Sequence, residues 1–475
     1  MDKPNILLIS TDTQRCDTLN CMGYPKAISP HLDRLAAEGV MFTQAHTNAP
    51  VCGPTRCSLM TGLHPPVHGS MENGIARREG LLFFTDRLKE VGYTNVMAGK
   101  THFGAMPDSF DIDYSAAGGK SGVGNNIYAA YLKEHGYEGN AGKYPHSIPE
   151  DLFFDAFVTT KTIDGIEEAR KQSDGPFFAF CSMLSPHGPL DPPGKWGTLY
   201  TDEMLPPPPK NPETDGEPEH AQRLLALRDR PRYTAEEIEA IRKLYYGLSS
   251  YCDDQVGRLM TYLDENGLRE ETLVIFTSDH GIDLYDHGFD NKHQYYDNTW
   301  RVPFVMSMPG TLAAGETRDF VMWNDIATTI LGAAGLSEPT MQGFDVFTAA
   351  KNGERSPRRC AVGTLFKSCA LATKRWKLEY YLEEGQARLF DREKDPDEYN
   401  DLSGSDAHRE VLWAMKEALL SWRSDLHDIA YLHRYTSGGG PVAKRVGKIV
   451  PEMRGTDAED RLNEKVEAID AQFDG

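Results

Sequence analysis

Long apolar runs are missing from this chain. Nothing approaches the roughly 18 consecutive apolar residues that span a bilayer. The N-terminus MDKPNILLISTDTQRCD offers only Ile6-Leu7-Leu8-Ile9, where a secretory signal needs an apolar region of roughly 7–15 residues. A soluble, cytoplasmic protein with no membrane partner is expected. Basic excess is missing too: 50 Lys and Arg stand against 71 Asp and Glu, a formal net charge of −21. Nucleic acid is thereby a poor partner, because binding it depends on neutralising phosphates with Lys and Arg. An acidic protein that acts on an anion must concentrate positive charge locally, and any candidate site has to meet that condition. Cysteine is sparse, with 8 in 475 residues and no Cys-x-x-Cys pair. That argues against a disulfide scaffold and against a structural zinc site. Internal repeats and low-complexity segments are absent as well.

What is present is an alternation of short apolar runs and helical patterns. Asn5-Ile6-Leu7-Leu8-Ile9-Ser10 is too short for a helix and suits a strand covered on both faces. Residues 176–184 (PFFAFCSML) and 272–278 (TLVIFTS) read the same way. Ser29-Pro30 ahead of HLDRLAAEG supplies an N-cap, a proline at the first helical position and a closing Gly39. Thr234 with Glu237 makes a capping box before a long amphipathic helix that Gly267 closes. The Pro-rich LPPPPKNPETDGEPE before it is a surface excursion.

This pattern predicts an α/β fold of two lobes, since a chain of this length exceeds one compact core. The first, residues 1–355, is a large, mostly parallel sheet sandwiched by helices. The second, residues 356–430, is a smaller C-terminal α+β lobe with an antiparallel sheet in ALATKRWKLEYYLEEGQARLFD and a helix near 407–424. Residues 431–475, with a Gly-Gly-Gly stretch and the basic run AKRVGK, form an arm that packs on another subunit or a loose tail. A homodimer or tetramer is compatible with the former.

Polar residues stand at the carboxyl ends of the predicted strands, where open α/β sheets build their sites. Asp12 follows the first strand, Lys100 and His102 follow GYTNVMAG, His187 follows FFAFCSMLSP, and Asp279 with His280 follows TLVIFTS. Each alone reads as a turn residue capping a helix. Together they supply metal ligands and anion-binding cations, and they meet the charge condition.

The most specific motif is Cys52-Gly53-Pro54-Thr55-Arg56, followed by CSLMTG. A buried cysteine ahead of a helix is the bland reading, and even that makes an anion site at the helix N-terminus. A Cys-x5-Arg phosphatase loop is excluded, because Ser58 occupies the position that arginine would need.

With these residues in view, the sequence resembles the sulfatase family of the alkaline-phosphatase superfamily over essentially its whole length. CGPTRCSLMTG is similar to the signature C-x-P-[ST]-R-x-x-x-L-T-G, with Met60 in place of Leu. PNILLISTD, SPHLDRLAAEGVMFTQAH, GKTHFG, SPHGP, TSDHG, NKHQYYDNTWRVP and LFDREKDPDEYNDL look like family blocks in family order.

The resemblance implies that Cys52 is converted by a formylglycine-generating enzyme to Cα-formylglycine, whose hydrate is the nucleophile. Pro54 and Arg56 serve recognition by that enzyme, and Arg56 then steadies the diol. Asp12, Asp279 and His280 match the metal-ligand positions, with an oxygen of residue 52 completing the shell. Lys100 and His102 match the GK-x-H box, His187 the strand-end histidine, and Lys292 the lysine facing the leaving group. One diol oxygen attacks sulfur, His187 or Lys292 protonates the alcohol, and His102 deprotonates the second hydroxyl so that sulfate is expelled. Asn73, in HGSMENG, stands where the family often has a substrate-side Asn and equally reads as a turn residue. His293 could share the leaving-group role, while His64 and His68 serve the loop after the signature helix.

The chain departs from the family pattern at two places. Thr13 follows Asp12 where many members have a second Asp, and His280 stands where some have Asn. Two carboxylates, an imidazole and a diol favour calcium as the divalent cation, with manganese close behind and magnesium compatible. The expected function is hydrolysis of a sulfated small molecule or sugar by an arylsulfatase-like enzyme. The alternatives are a phosphonate monoester hydrolase or phosphodiesterase on the same scaffold, and an inactive binder of sulfated ligands. An ordinary thiol enzyme lacks any local signature. Residues 105–150 and 190–235 read only as loops.

Overall fold

The computed structural model describes residues 3–117, 127–137, 148–205, 233–436 and 454–473. The basic run AKRVGK and most of the Pro-rich excursion lie outside the described residues.

The large lobe is built on an eight-stranded sheet. In chain order its strands are β1 (Asn5–Asp12), β2 (Val40–His46), β3 (Thr94–Lys100), β4 (Ile112–Ala117), β5 (Phe177–Pro186), β6 (Thr272–Ser278), β7 (Phe304–Ser307) and β8 (Gly315–Met322). They lie in the order β4-β3-β5-β1-β6-β7-β2-β8. Only β7 runs antiparallel to its neighbours, β6 and β2. β1 sits between β5 and β6, pairing Ile6 with Phe178 and Leu7 with Val274.

The period-2 alternation of strand side chains splits the apolar runs between two cores. Ile6, Leu8, Phe178 and Phe180 face one layer with Leu59, Phe84, Leu88, Ile326 and Ile330. Leu7, Ile9, Phe177 and Ala179 face the other with Leu32, Phe157, Ile166, Val256 and Leu263. Helices on both faces explain why the strands read as continuous apolar runs. The helix Ala235–Glu265 opens with the expected box: Thr234 Oγ1 accepts from Glu237 N, and Glu237 Oε2 accepts from Thr234 N. The helix Pro30–Ala37 starts where expected, yet Ser29 gives it no side-chain cap. The Ser29 hydroxyl accepts from Asn20 N and donates to Asp33 instead, tying down the preceding loop.

Gly99 has a structural reason. Its φ is +90°, and a Cβ there would lie 2.0 Å from the Ser182 carbonyl oxygen on β5. The register with β4 slips between Gly99 and Lys100. A bulge of this kind re-aims the next side chain, and here that side chain is Lys100.

The C-terminal region holds a four-stranded antiparallel sheet of β9 (Ala361–Leu365), β10 (Ser368–Ala372), β11 (Trp376–Tyr381) and β12 (Gln386–Asp391), in the order β12-β11-β10-β9. The helix Arg409–Thr436 packs on β10 and β11, and the helix Asp457–Phe473 packs on that helix. Ala458, Leu462, Val466 and Ile469 enter the same core as Ala49, Val51, Leu63 and Val67, which flank Cys52 in sequence. Trp422 Nε1 donates to Glu459 Oε1 at 3.0 Å, and His64 Nε2 lies 2.9 Å from that oxygen. The last helix therefore supports the loops around the signature. Leu462→Ala is expected to cost about 2–5 kcal/mol in urea unfolding, and a loss below about 1 kcal/mol would show that this helix is peripheral.

Candidate active site

Parallel strands aim their carboxyl ends at one edge, and that edge collects the residues read from the sequence. Asp12 ends β1, Lys100 ends β3, His187 follows β5, and Asp279 and His280 follow β6. Cys52 reaches them from the first turn of the helix Cys52–Thr61, every residue of which is buried. Pro54 is tolerated there because the first backbone N–H groups of a helix have no partner within it. The N–H of Gly53, in that first turn, is satisfied by Asn73 Oδ1 at 2.9 Å. A Cβ at residue 53 would approach that oxygen to 2.9 Å, so glycine leaves room for it.

Ligand atoms of Asp12, Cys52, Asp279 and His280 lie within 4.8 Å of one another, and all four residues are buried. Arg56 joins the two carboxylates from below. Its Nε donates to Asp279 Oδ2 at 2.8 Å, its Nη2 to Asp12 Oδ2 at 3.4 Å, and its Nη1 to Ser182 Oγ at 2.8 Å. Lys100 Nζ also donates to Asp12 Oδ2. Lys292 Nζ lies 2.9 Å from Cys52 Sγ and 3.2 Å from His280 Nε2. His280 Nδ1 faces the Gly281 carbonyl at 2.7 Å and must donate to it. The Nε2 lone pair is thereby turned toward Sγ, 3.2 Å away, as a metal-ligating imidazole requires.

Charge within the cluster follows from these distances. Burial opposes ionisation of Asp12, but Lys100, His187, Lys292 and Arg56 outweigh it and hold the carboxyl well below its usual range. Burial and Asp12 likewise oppose a Cys52 thiolate, and Lys100, Lys292 and His280 still hold that thiol well below its usual value. Burial pushes His187 down, against the pull of Asp12. Lys292 is raised despite burial, because Cys52, Asp12 and Asp279 favour its charge. Locally concentrated cations thus meet the condition that a net acidic chain imposed.

Of the remaining residues, His102 follows Lys100 with φ +54°, and its carbonyl lies near Gly53. His187 Nδ1 donates to Gly188 O at 2.7 Å, leaving Nε2 as the free nitrogen. His293 is half-buried, 3.1 Å from Glu72. His68 and His64 sit behind the signature helix: His68 accepts from Ser70 N and donates to Ser58 Oγ, and burial pushes it down to about 3.

Four supporting residues escaped the sequence reading. Ser182 holds Arg56 from β5. The Thr13 backbone N–H, with φ +64°, donates to Asp279 Oδ1 at 3.1 Å. Tyr245, on the long helix, fixes that turn by donating to Thr13 O at 2.5 Å and accepting from Arg15 N at 2.9 Å. Glu72 joins the Asn73 and Lys292 loops. None had a role assigned from the sequence, and only the tertiary fold brings them together.

Comparison with known proteins agrees with this geometry. The family described as Sulfatase matches residues 4–336, and the one described as N-sulphoglucosamine sulphohydrolase, C-terminal, matches residues 285–425. An arylsulfatase of Clostridium perfringens is 27% identical over 457 residues, covering 88% of this chain and 94% of that protein. The crystal structure of the phosphonate monoester hydrolase of Agrobacterium radiobacter superposes with a TM-score of 0.78 at 24% identity, covering 89% of this chain and 96% of that one. A structure solved in complex with its substrate D-glucosamine-2-N,6-O-disulfate gives a TM-score of 0.73 at 19% identity, covering 90% and 99%. With most of its length matched by the family and the signature cysteine set among buried carboxylates, the chain belongs to the sulfatase family of the alkaline-phosphatase superfamily.

Proposed function

We propose that the chain hydrolyses the sulfate ester of a small molecule or sugar to an alcohol and inorganic sulfate, using an aldehyde made from Cys52 and one divalent cation. The observation that carries this reading is the buried cluster of Asp12, Cys52, Asp279 and His280, ringed by Arg56, Lys100 and Lys292. Two carboxylates and an imidazole make a fitting donor set for calcium first, then manganese or magnesium. Asp12, Asp279 and His280 would hold the cation beside residue 52, and when bound it lowers the pKa of a coordinated hydroxyl and polarises sulfuryl oxygens. In this reading Cys52 Sγ stands for the oxygen that the converted residue presents. A formylglycine-generating enzyme is the partner in maturation.

The protein's own groups do the rest. Arg56 pairs with both carboxylates and holds them in place. Lys100 and Lys292 face the charge that builds on the sulfuryl oxygens, commonly the largest catalytic contribution in group transfer. Lys292 or His187 gives a proton to the departing alcohol, and His102 takes one from residue 52 in the step that frees sulfate. Asn73 and His293 border the substrate side of residue 52, where Asn73 is exposed.

Hydrolysis of phosphonate monoesters is the second reading, supported by the structural likeness to a phosphonate monoester hydrolase reported above. Both esters carry one negative charge, so counting cations does not separate them. Turnover of an aryl sulfate against an aryl phosphonate ester does, and the sulfate is expected to be the better substrate.

Mass spectrometry of the tryptic peptide containing Cys52, from a host with the converting enzyme, is expected to show an aldehyde in place of the thiol. An unmodified cysteine, where a known sequence is converted in parallel, would refute the mechanism. Cys52→Ala is expected to lower kcat at least about 10⁴-fold, as loss of a nucleophile does elsewhere, with an unchanged unfolding midpoint. Lys292→Ala is expected to lower kcat about 10²- to 10⁴-fold on esters with poor leaving groups and much less on activated aryl esters. Equal losses on both would remove Lys292 from the leaving-group role. Chelation should abolish turnover, calcium or manganese should restore it, and full activity after exhaustive chelation would exclude the cation.

A further inference from the structure

Two loops flank residue 52 without sharing a sheet or a helix. One delivers Asn73, whose Oδ1 accepts from Gly53 N. The other, between β6 and the short helix Asp297–Trp300, delivers Lys292, whose Nζ lies 2.9 Å from Cys52 Sγ. They meet at Glu72. Its Oε1 accepts from the Asn73 backbone N–H at 2.8 Å and from His293 Nε2 at 3.1 Å. His293 Nδ1 faces the Lys292 carbonyl at 3.1 Å. Both ring nitrogens therefore face acceptors, so the ring bridges Glu72 to the Lys292 backbone. Burial opposes ionisation of Glu72, yet its hydrogen bond to His293 and the charge there hold the carboxyl below its usual value.

The backbone says why such a pairing is needed. His293 has φ +83°, a region that residues with a Cβ avoid unless their surroundings impose it. Its N–H donates to Pro50 O at 3.3 Å, tying the same turn to the segment before Cys52. A lysine that reaches a buried atom from a loop needs its backbone fixed, since a displacement of about 1 Å in a catalytic group can cost about 100-fold in rate.

We propose that Glu72 is a positioning residue: through His293 it holds the 291–293 turn in its left-handed form and so sets where Lys292 Nζ stands against residue 52. What Lys292 does there rests on the sulfatase reading, whereas the latch does not. A direct contact of Glu72 with the sulfate is disfavoured by like charge, and its pairing with His293 gives the carboxylate a different task.

Glu72→Ala, Glu72→Gln, Lys292→Ala and the Glu72→Ala/Lys292→Ala double variant test this, using the full chain. Glu72→Ala is expected to lower kcat about 10- to 100-fold on esters with poor leaving groups, with little change in KM. Glu72→Gln, which keeps an acceptor for His293, should recover most of that loss. In the Lys292→Ala background, Glu72→Ala should add nothing, because both act through one group. Hydrogen exchange read by mass spectrometry should quicken at residues 286–296 in Glu72→Ala, including in protein whose Cys52 has not been converted. Unchanged exchange there would overturn the latch, and losses that multiply in the double variant would overturn its action through Lys292. A wild-type protein without turnover of any sulfate ester would instead sink the sulfatase reading, and the exchange result would still decide the latch.

Discussion

Two carboxylates lie fully buried at the ends of adjacent strands, and the site depends on giving both of them a cationic partner. Asp12 and Asp279 are each 0% exposed. An isolated carboxylate in that environment would take a proton rather than stay ionised. At Asp12, Lys100 and then Arg56 oppose this, and Arg56 reaches Asp279 with the same guanidinium, while Ser182 holds the third side of the fork. Removing one partner of a buried ion pair typically costs about 3–5 kcal/mol, because the other is left uncompensated. Arginine suits the position better than lysine, since its planar fork directs several N–H donors at once. The same side chain belongs to the helix that begins at Cys52. Holding the carboxylates therefore also fixes the helix, and with it the position of Cys52.

Backbone strain gathers around this pairing. Among the described residues, Thr13, His102 and His293 are non-glycine positions with positive φ, at +64°, +54° and +83°. Thr13 adjoins Asp12, His293 adjoins Lys292, and His102 is itself the histidine of the GK-x-H box. Such conformations cost of order 1–3 kcal/mol each and persist only where contacts over-determine them. Thr13 is held by Asp279 and by Tyr245, and His293 by Glu72 and Pro50. Strand ends provide rigid anchors, and these turns redirect the chain so that side chains from separate strands meet at one point. Gly99 serves the same end through a bulge, at a position where any side chain would strike β5.

Local devices were legible in the sequence, and contacts across the fold were not. β1 and β6 announce themselves as short apolar runs between turn residues, and β6 falls on the expected residues 272–278. The capping box at Thr234 forms because it is a local device, closed within one turn. Ser29 has the right type for a cap, yet a tertiary partner, Asn20, claims its hydroxyl. The residues at the strand ends were legible once a parallel sheet was inferred, since that topology alone sends Asp12, Lys100, His187 and Asp279 to one edge. The antiparallel course of β7 and the strand β9 were not legible, because both are set by partners distant in sequence. Ser182, Tyr245 and Glu72 were hidden for the same reason: each is an ordinary residue type whose role exists only through a contact spanning the fold.

The C-terminal region holds the helix start at Cys52 from behind, as Arg56 holds it from below. Ala49 and Val51 precede Cys52 and are 0% exposed, buried in the core of the small sheet and its two helices. Asn48 accepts from Asn324 N and donates to Asn324 Oδ1, locking that approach to the opposite helix. Its amide also faces His64 Nδ1, which continues the chain of contacts to Glu459 on the last helix. A buried polar network of this kind favours one arrangement over others, since a shift would strand several partners at once. The segment before Cys52 is thus set by residues more than four hundred positions away. The charge pairing at Arg56 fixes the helix from the sheet side, and the small lobe fixes its entry. Residue 52 is left with little freedom of its own, as pre-organised group transfer requires.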